Sequence, residues 1–201
     1  MKRLLIALFV MLLLGGCSTV RLIDTQVLAI STLPPNAPPM TGVRYRFDRL
    51  PSQTQQIGGE HLEALAQEAL TRVGLILDEA KAQYSVSLTV NVQPYRADAW
   101  GNPLYQPWPG YGHFVLGGGT GGASMGLGMG MHFPPSTSYR RELSLVLRDL
   151  RNSQVAYETR VMHEGPWSDT SNILPAMFQA ALTDFPNPPA GPRRVNIEIP
   201  R

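Results

Sequence analysis

The stretch YSVSLTVNV, residues 84–92, alternates apolar and polar side chains without a break. A period of two places Tyr84, Val86, Leu88, Val90 and Val92 on one side and Ser85, Ser87, Thr89 and Asn91 on the other. That pattern is a β-strand with one face buried and one face wet. Such a strand needs partners on both sides and something apolar over its inner face, so the rest of the chain has to supply both.

Partners are legible. VRYRFDRLP alternates Val43, Tyr45 and Phe47 against Arg44, Arg46 and Asp48, then stops at Pro51. QVLAIST, residues 26–32, reads as a first strand ending before Pro34-Pro35. RRELSLVLRDL and QVAYETRVMHEG read as two strands joined by a tight turn at Arg151-Asn152-Ser153, and RRVNIEIP as a last edge strand. Cover is legible too. Over residues 60–73, Leu62, Leu65, Ala66, Ala69, Leu70 and Val73 fall at steps of three and four, which predicts a helix, with Gly74 in the C-cap position. A second helix is expected over residues 169–185, capped by Thr170 or Ser171, with Pro175 in its first turn and a stripe of Leu174, Met177, Phe178, Ala181, Leu182 and Phe185. The expectation is a single α+β domain: a mainly antiparallel sheet, two helices on one face, and a long insertion near residues 94–138.

The N-terminus follows a different logic. Lys2-Arg3, then an apolar run from Leu4 to Leu14, then Gly15-Gly16, is the layout of a secretory signal, and the run is too short to span a membrane. Leu14-Gly15-Gly16-Cys17 resembles the lipobox of bacterial lipoproteins. The resemblance implies cleavage between Gly16 and Cys17 and acylation of Cys17, with residues 1–16 removed, 17–25 left as a tether and 26–201 as the domain. It also implies sorting to the outer membrane, since Ser18 stands where an inner-membrane protein of that kind carries aspartate. Cys17 is the only cysteine, so the mature chain holds no free thiol for disulfide, metal or nucleophile. Loss of Lys2 and Arg3 balances the remaining basic residues against 15 acidic ones. A neutral surface argues against nucleic acid as a partner.

RYRFDRLP, the helix end EALTRVGL and the strand AQYSVSLTV together are similar to the bacterial lipoprotein family called domain of unknown function 4136. Tyr45 and Phe47 match its Tyr-x-Phe strand, Ala69-Leu70 to Gly74 its helix end, and Ala82 its strand entry, with Gln83 in place of the usual aspartate. The resemblance implies an envelope lipoprotein with no assigned catalytic residue.

The insertion holds most of the glycines. Gly117, Gly119 and Gly122 satisfy a dinucleotide-type spacing, but the residues that follow carry glycine at every second place and cannot form the required helix. Met125, Leu127, Met129, Met131 and Phe133 share one parity, opposite Gly126, Gly128 and Gly130. The pattern reads first as a hairpin extension and second as a partner- or lipid-contacting flap, with Trp108 and its aromatic neighbours in support. Methionines with His113 and His132 suggest copper chemistry only weakly, because alternate methionines more often pack; no metal or cofactor is expected. His61 and His163 read as surface or boundary residues, and Asp98, Asp149, Glu164 and Asp169 are scattered. No catalytic residue is nominated. The expected function is a non-enzymatic binding or structural module held at the outer membrane through Cys17. A lipid-binding or transport accessory is the alternative, and an envelope hydrolase a further one.

Overall fold

The computed structural model describes residues 20–34, 40–49, 58–98, 102–104 and 136–200. Seven strands and two helices follow in chain order: β1 (Val20–Ser31), β2 (Arg44–Phe47), α1 (Gly59–Arg72), β3 (Ile76–Leu77), β4 (Tyr84–Ala97), β5 (Ser136–Asp149), β6 (Val155–Gly165), α2 (Thr170–Ala181) and β7 (Arg193–Pro200). The strands form one sheet in the order β3-β2-β4-β5-β6-β1-β7. Both helices pack on one face of it, as the two apolar stripes require.

The sheet is antiparallel from β4 through β7, and β2 runs parallel to both β3 and β4. The parallel pairing follows from α1, which lies between β2 and β4 and carries the chain back before β4 begins. The second helix works the same way: β6 and β7 are each antiparallel to β1 between them, so α2 links two parallel strands.

Several boundaries move from their expected places. The tether expected over residues 17–25 is already strand from Val20, because β7 pairs with β1 from Val20 onward. The β4–β5 ladder runs unbroken from Tyr84↔Asp149 to Ala97↔Ser136, so it takes in both flanks of the expected insertion. Val92 keeps its inward parity but is exposed, since no described helix reaches it. Pro175 lies inside α2 rather than in its first turn, and the helix ends at Ala181. Residues 182–185 continue as tight turns, and Phe185 still packs edge-on against Tyr157 with ring centroids 4.9 Å apart. β3 was not expected. It forms because Gly74, at φ +93°, turns the chain so that its carbonyl accepts the Gly42 amide at 2.8 Å. A Cβ there would meet the Thr41 backbone at 3.0 Å, which is why glycine holds the position.

The core between sheet and helices is mostly aliphatic, with Phe178 and two tyrosines buried in it. Tyr45 and Phe47 meet edge-on at 5.4 Å, and burial pushes the Tyr45 phenol up to about 12. Tyr157 is likewise held at about 12 by burial, and its hydroxyl donates to the Ala181 carbonyl at 2.9 Å, fixing the end of α2.

The registers also define two ends. At one, here the proximal end, β1 and β5 begin, β4, β6 and β7 finish, and α2 starts. At the other, the distal end, the turn after Asp149 joins β5 to β6.

Candidate functional site

On the helix-facing side of β5, Leu147, Leu145 and Leu143 are followed at the same parity by Arg141, which is fully buried. Its cross-strand neighbour on β6 is His163, 2% exposed, and the next across on β1 is Thr25, 1% exposed. A row of polar side chains thus replaces the aliphatic row at the proximal end. Above it lie Trp167, Asp169 and Thr170, where the chain leaves β6 and enters α2.

Buried polar groups need partners, and most of these have them. Arg141 donates from Nε to Thr170 Oγ1 at 3.0 Å and from Nη2 to the Trp167 carbonyl at 2.5 Å. Thr25 donates to the Val195 carbonyl at 2.6 Å, tying β1 to the edge strand. Arg21 donates through Nη1 and Nη2 to the two carboxylate oxygens of Asp169, at 3.2 and 2.6 Å, and its guanidinium carbon sits 4.8 Å from the centroid of the Trp167 ring. His163 Nδ1 lies 2.8 Å from the Asp24 carbonyl. A carbonyl only accepts, so the proton of the neutral ring is on Nδ1 and Nε2 presents a lone pair. Arg141 Nη1, His163 Nε2 and Arg21 Nε are buried with no hydrogen-bond partner among the described residues.

The electrostatics favour a rigid arrangement. Burial is the main cause that draws His163 below the ordinary histidine value, and the charges of Arg141 and Arg21 add to it. The hydrogen bond from Arg21 is the main cause that holds Asp169 below the ordinary carboxylate value. Burial also lowers Arg141, against the attraction of Asp169. Gly165 allows the close packing: a Cβ there would come within 3.2 Å of both His163 Nε2 and the Trp167 ring. The Trp167 and His163 rings are parallel with centroids 6.4 Å apart.

The acidic residues singled out from the sequence are dispersed. Asp149 is held low chiefly by its hydrogen bond from Arg151 in the distal turn, Glu164 pairs with Arg140 on the open face, and Asp98 accepts from the Asn102 amide. His61 is exposed on α1, as expected. His163, expected at a surface or boundary, is instead buried, because its strand continues under the loop that carries Trp167. Gly16, Cys17, Trp108, Met125, Leu127, Met129, Met131 and Phe133 lie outside the described residues, as do His113 and His132. Among the described residues no group of three or more His, Cys, Asp or Glu side chains could hold a metal ion. A shallow groove of about 260 Å³ between the C-terminal ends of the helices is lined by Ala69, Arg72, Val73, Gln179, Leu182 and Thr183; it brings none of the polar cluster together. Arg21 and Arg141 were missed in the sequence although a signal existed. Each shares parity with buried apolar residues of its own strand, Ile23 and Val27 for one, Leu143 and Leu145 for the other.

Two solved structures of PelC dodecamers from Paraburkholderia phytofirmans are among those similar to this chain. One, at 12% identity and a TM-score of 0.44, covers 79% of this chain and 96% of that one. The other, of a PelC variant, gives 13%, 0.44, 79% and 95%. A PDZ domain protein from Parabacteroides distasonis ATCC 8503 gives 11% identity and a TM-score of 0.49, covering 96% of this chain and 42% of that one. No curated protein matches the sequence. The family model described as Domain of unknown function (DUF4136) matches residues 39–187, well over half of the chain, and the protein belongs to the DUF4136 family.

Proposed function

We propose that the protein is a lipid-anchored module of the bacterial envelope, held at the outer membrane through Cys17, that binds or organises another envelope component rather than catalysing a reaction. The observation that carries this reading is the start of β1 at Val20, three residues after Cys17. A folded domain that begins so close to a lipobox cysteine is built to sit directly on its anchor. The buried cluster is not poised for acid–base chemistry: Asp169 is committed to Arg21, and His163 is shielded from solvent with its Nδ1 proton committed to Asp24. A general base has to reach its substrate proton, directly or through one water, and these groups serve the fold instead.

The test is an in-cell crosslink and pull-down with the C-terminally tagged, lipidated protein, beside a variant lacking residues 110–131. One envelope protein recovered by the full chain alone supports a binding module whose contact needs the insertion. Identical background from both baits contradicts an interface there. A second reading, a lipid-binding accessory, gains support because β4 ends and β5 begins at the proximal end, the end nearest Cys17. Lipid co-extracted in stoichiometric amount with the purified protein, beyond its own acyl chains, would favour that reading.

A further inference from the structure

The chain length at the proximal end limits how the domain can sit. Val20 lies three steps along the chain from Cys17, and at roughly 3.6 Å per residue the first residue of β1 stays within about 11 Å of the acylated cysteine. What lies at that end is apolar and aromatic. Val20 is 43% exposed and Leu22 49%, both on the open side of the sheet, while Trp167 is 37% exposed on the helix side. These three flank the first residues of β1 from both sides. Of the charges around them, Arg21 is paired with Asp169 and Arg140 with Glu164, while the acidic Asp24 and Glu198 lie beside Leu22 on the open face.

Trp167 is also held in place. Its backbone carbonyl accepts from fully buried Arg141, its ring lies parallel to buried His163, and the Arg21 guanidinium covers it. An indole with one apolar body and one N–H is the side chain that settles at the boundary between headgroups and acyl chains. The buried cluster therefore has a use that an aliphatic core would not supply. It fixes the loop between β6 and α2 so that a tryptophan stands at the end of the domain nearest the anchor.

We propose that Val20, Leu22 and Trp167 form a membrane-docking surface that seats in the headgroup region of the same bilayer that holds the Cys17 acyl chains. The proposal rests on the lipid-anchor reading above. A patch this small does not bind a membrane unaided. Once the acyl chains are inserted, however, the contact is intramolecular, and a weak surface suffices at the resulting local concentration. With the acidic Asp24 and Glu198 beside Leu22, the docking is apolar in origin and does not depend on anionic lipid. The strands then lead away from the membrane, and at roughly 3.3 Å per residue the length of β5 puts the distal turn about 40 Å from it.

The experiment uses the lipidated full chain reconstituted in vesicles of phosphatidylethanolamine with or without phosphatidylglycerol. Cys17 is consumed by acylation, so a single added thiol labels cleanly. An environment-sensitive fluorophore goes on Glu198→Cys, which faces Leu22 across the β1–β7 ladder, or on Asn152→Cys in the distal turn. Quenching is by nitroxide-headgroup lipid. Mass spectrometry of the N-terminal peptide comes first, and absence of acyl groups on Cys17 removes both the anchor and the docking. With acylation confirmed, the expected result is several-fold stronger quenching at residue 198 than at 152. It should be equal in both lipid mixtures and at least halved by Trp167→Ser in a protein that keeps its unfolding transition. Val20→Ser, at an exposed site, repeats the test if Trp167→Ser does not fold. Equal quenching at the two labels, no change in either variant, or a strict need for anionic lipid overturns the docking surface and leaves the anchor standing.

Discussion

The two ends of the sheet solve the same packing problem with opposite chemistry. Toward the distal end, Leu143, Leu145 and Leu147 of β5 meet the helices through non-directional apolar contact. At the proximal end the same face of the same strand carries Arg141, and its neighbours are His163 and Thr25. Aliphatic packing tolerates small rearrangements, whereas a buried guanidinium holding a carbonyl and a hydroxyl defines one geometry. The lesson is a division of labour: the distal half supplies stability, and the proximal half supplies a fixed position for the loop into α2.

That contrast can be broken. Leu145→Ala is expected to lose about 2–5 kcal/mol, the range for truncating a buried leucine, measured by denaturant unfolding. Arg141→Met keeps an unbranched apolar stem and loses the donors to the Trp167 carbonyl and Thr170; leaving those groups unpaired costs about 1–3 kcal/mol. The two variants are separated by the indole N–H resonance of Trp167, assigned with Trp167→Phe. It should move or broaden in Arg141→Met and stay put in Leu145→Ala. A larger stability loss from Arg141→Met, with an unmoved indole, reverses the assignment of roles.

Gly74→Ala tests a feature outside both regions. A left-handed backbone costs a residue with a Cβ about 1–2 kcal/mol, and contact with the Thr41 backbone adds to that. The loss should appear with no change at Trp167.

A smaller effect comes from His163. Its native pKa is lowered by burial, so the unfolded chain takes up a proton before the folded one does. Stability from this group is complete above about pH 6.5, the unperturbed histidine value, and falls as pH drops below it toward the lower native value. Between pH 8 and 5 the wild type should lose stability along that slope, and His163→Gln should flatten it. The Asp169 carboxylate, held low by Arg21, contributes its own loss only further down, through the carboxylate range. Smallest of all is the exposed pair between Arg72 and Glu68 on α1, where Arg72→Ala should change stability by at most about 0.5 kcal/mol.

The same contrast explains what was legible in the sequence. Strand β4 and both helices announce themselves because their apolar residues repeat at the period of the element, and the apolar interior of the distal half obeys that rule. Residues 20–25 read as a tether because Arg21 and Thr25 occupy inward positions that the alternation rule reserves for apolar side chains. They are buried only because Asp169 and the Val195 carbonyl, 148 and 170 residues away, supply their partners. Arg141 and His163 were hidden for the same reason. Their positions share the parity of the core, but nothing local shows that Trp167 and Thr170 will close over them. β3 needed the Gly42–Gly74 contact, which is equally non-local.

The proposed anchor places acyl chains three residues before β1. The most direct test is the mass of the N-terminal peptide from protein extracted from bacterial membranes. The expected product is a chain beginning at Cys17, acylated, and followed by Ser18-Thr19-Val20. A chain that retains Met1, or that is cut elsewhere and carries Cys17 as a free thiol, would contradict it.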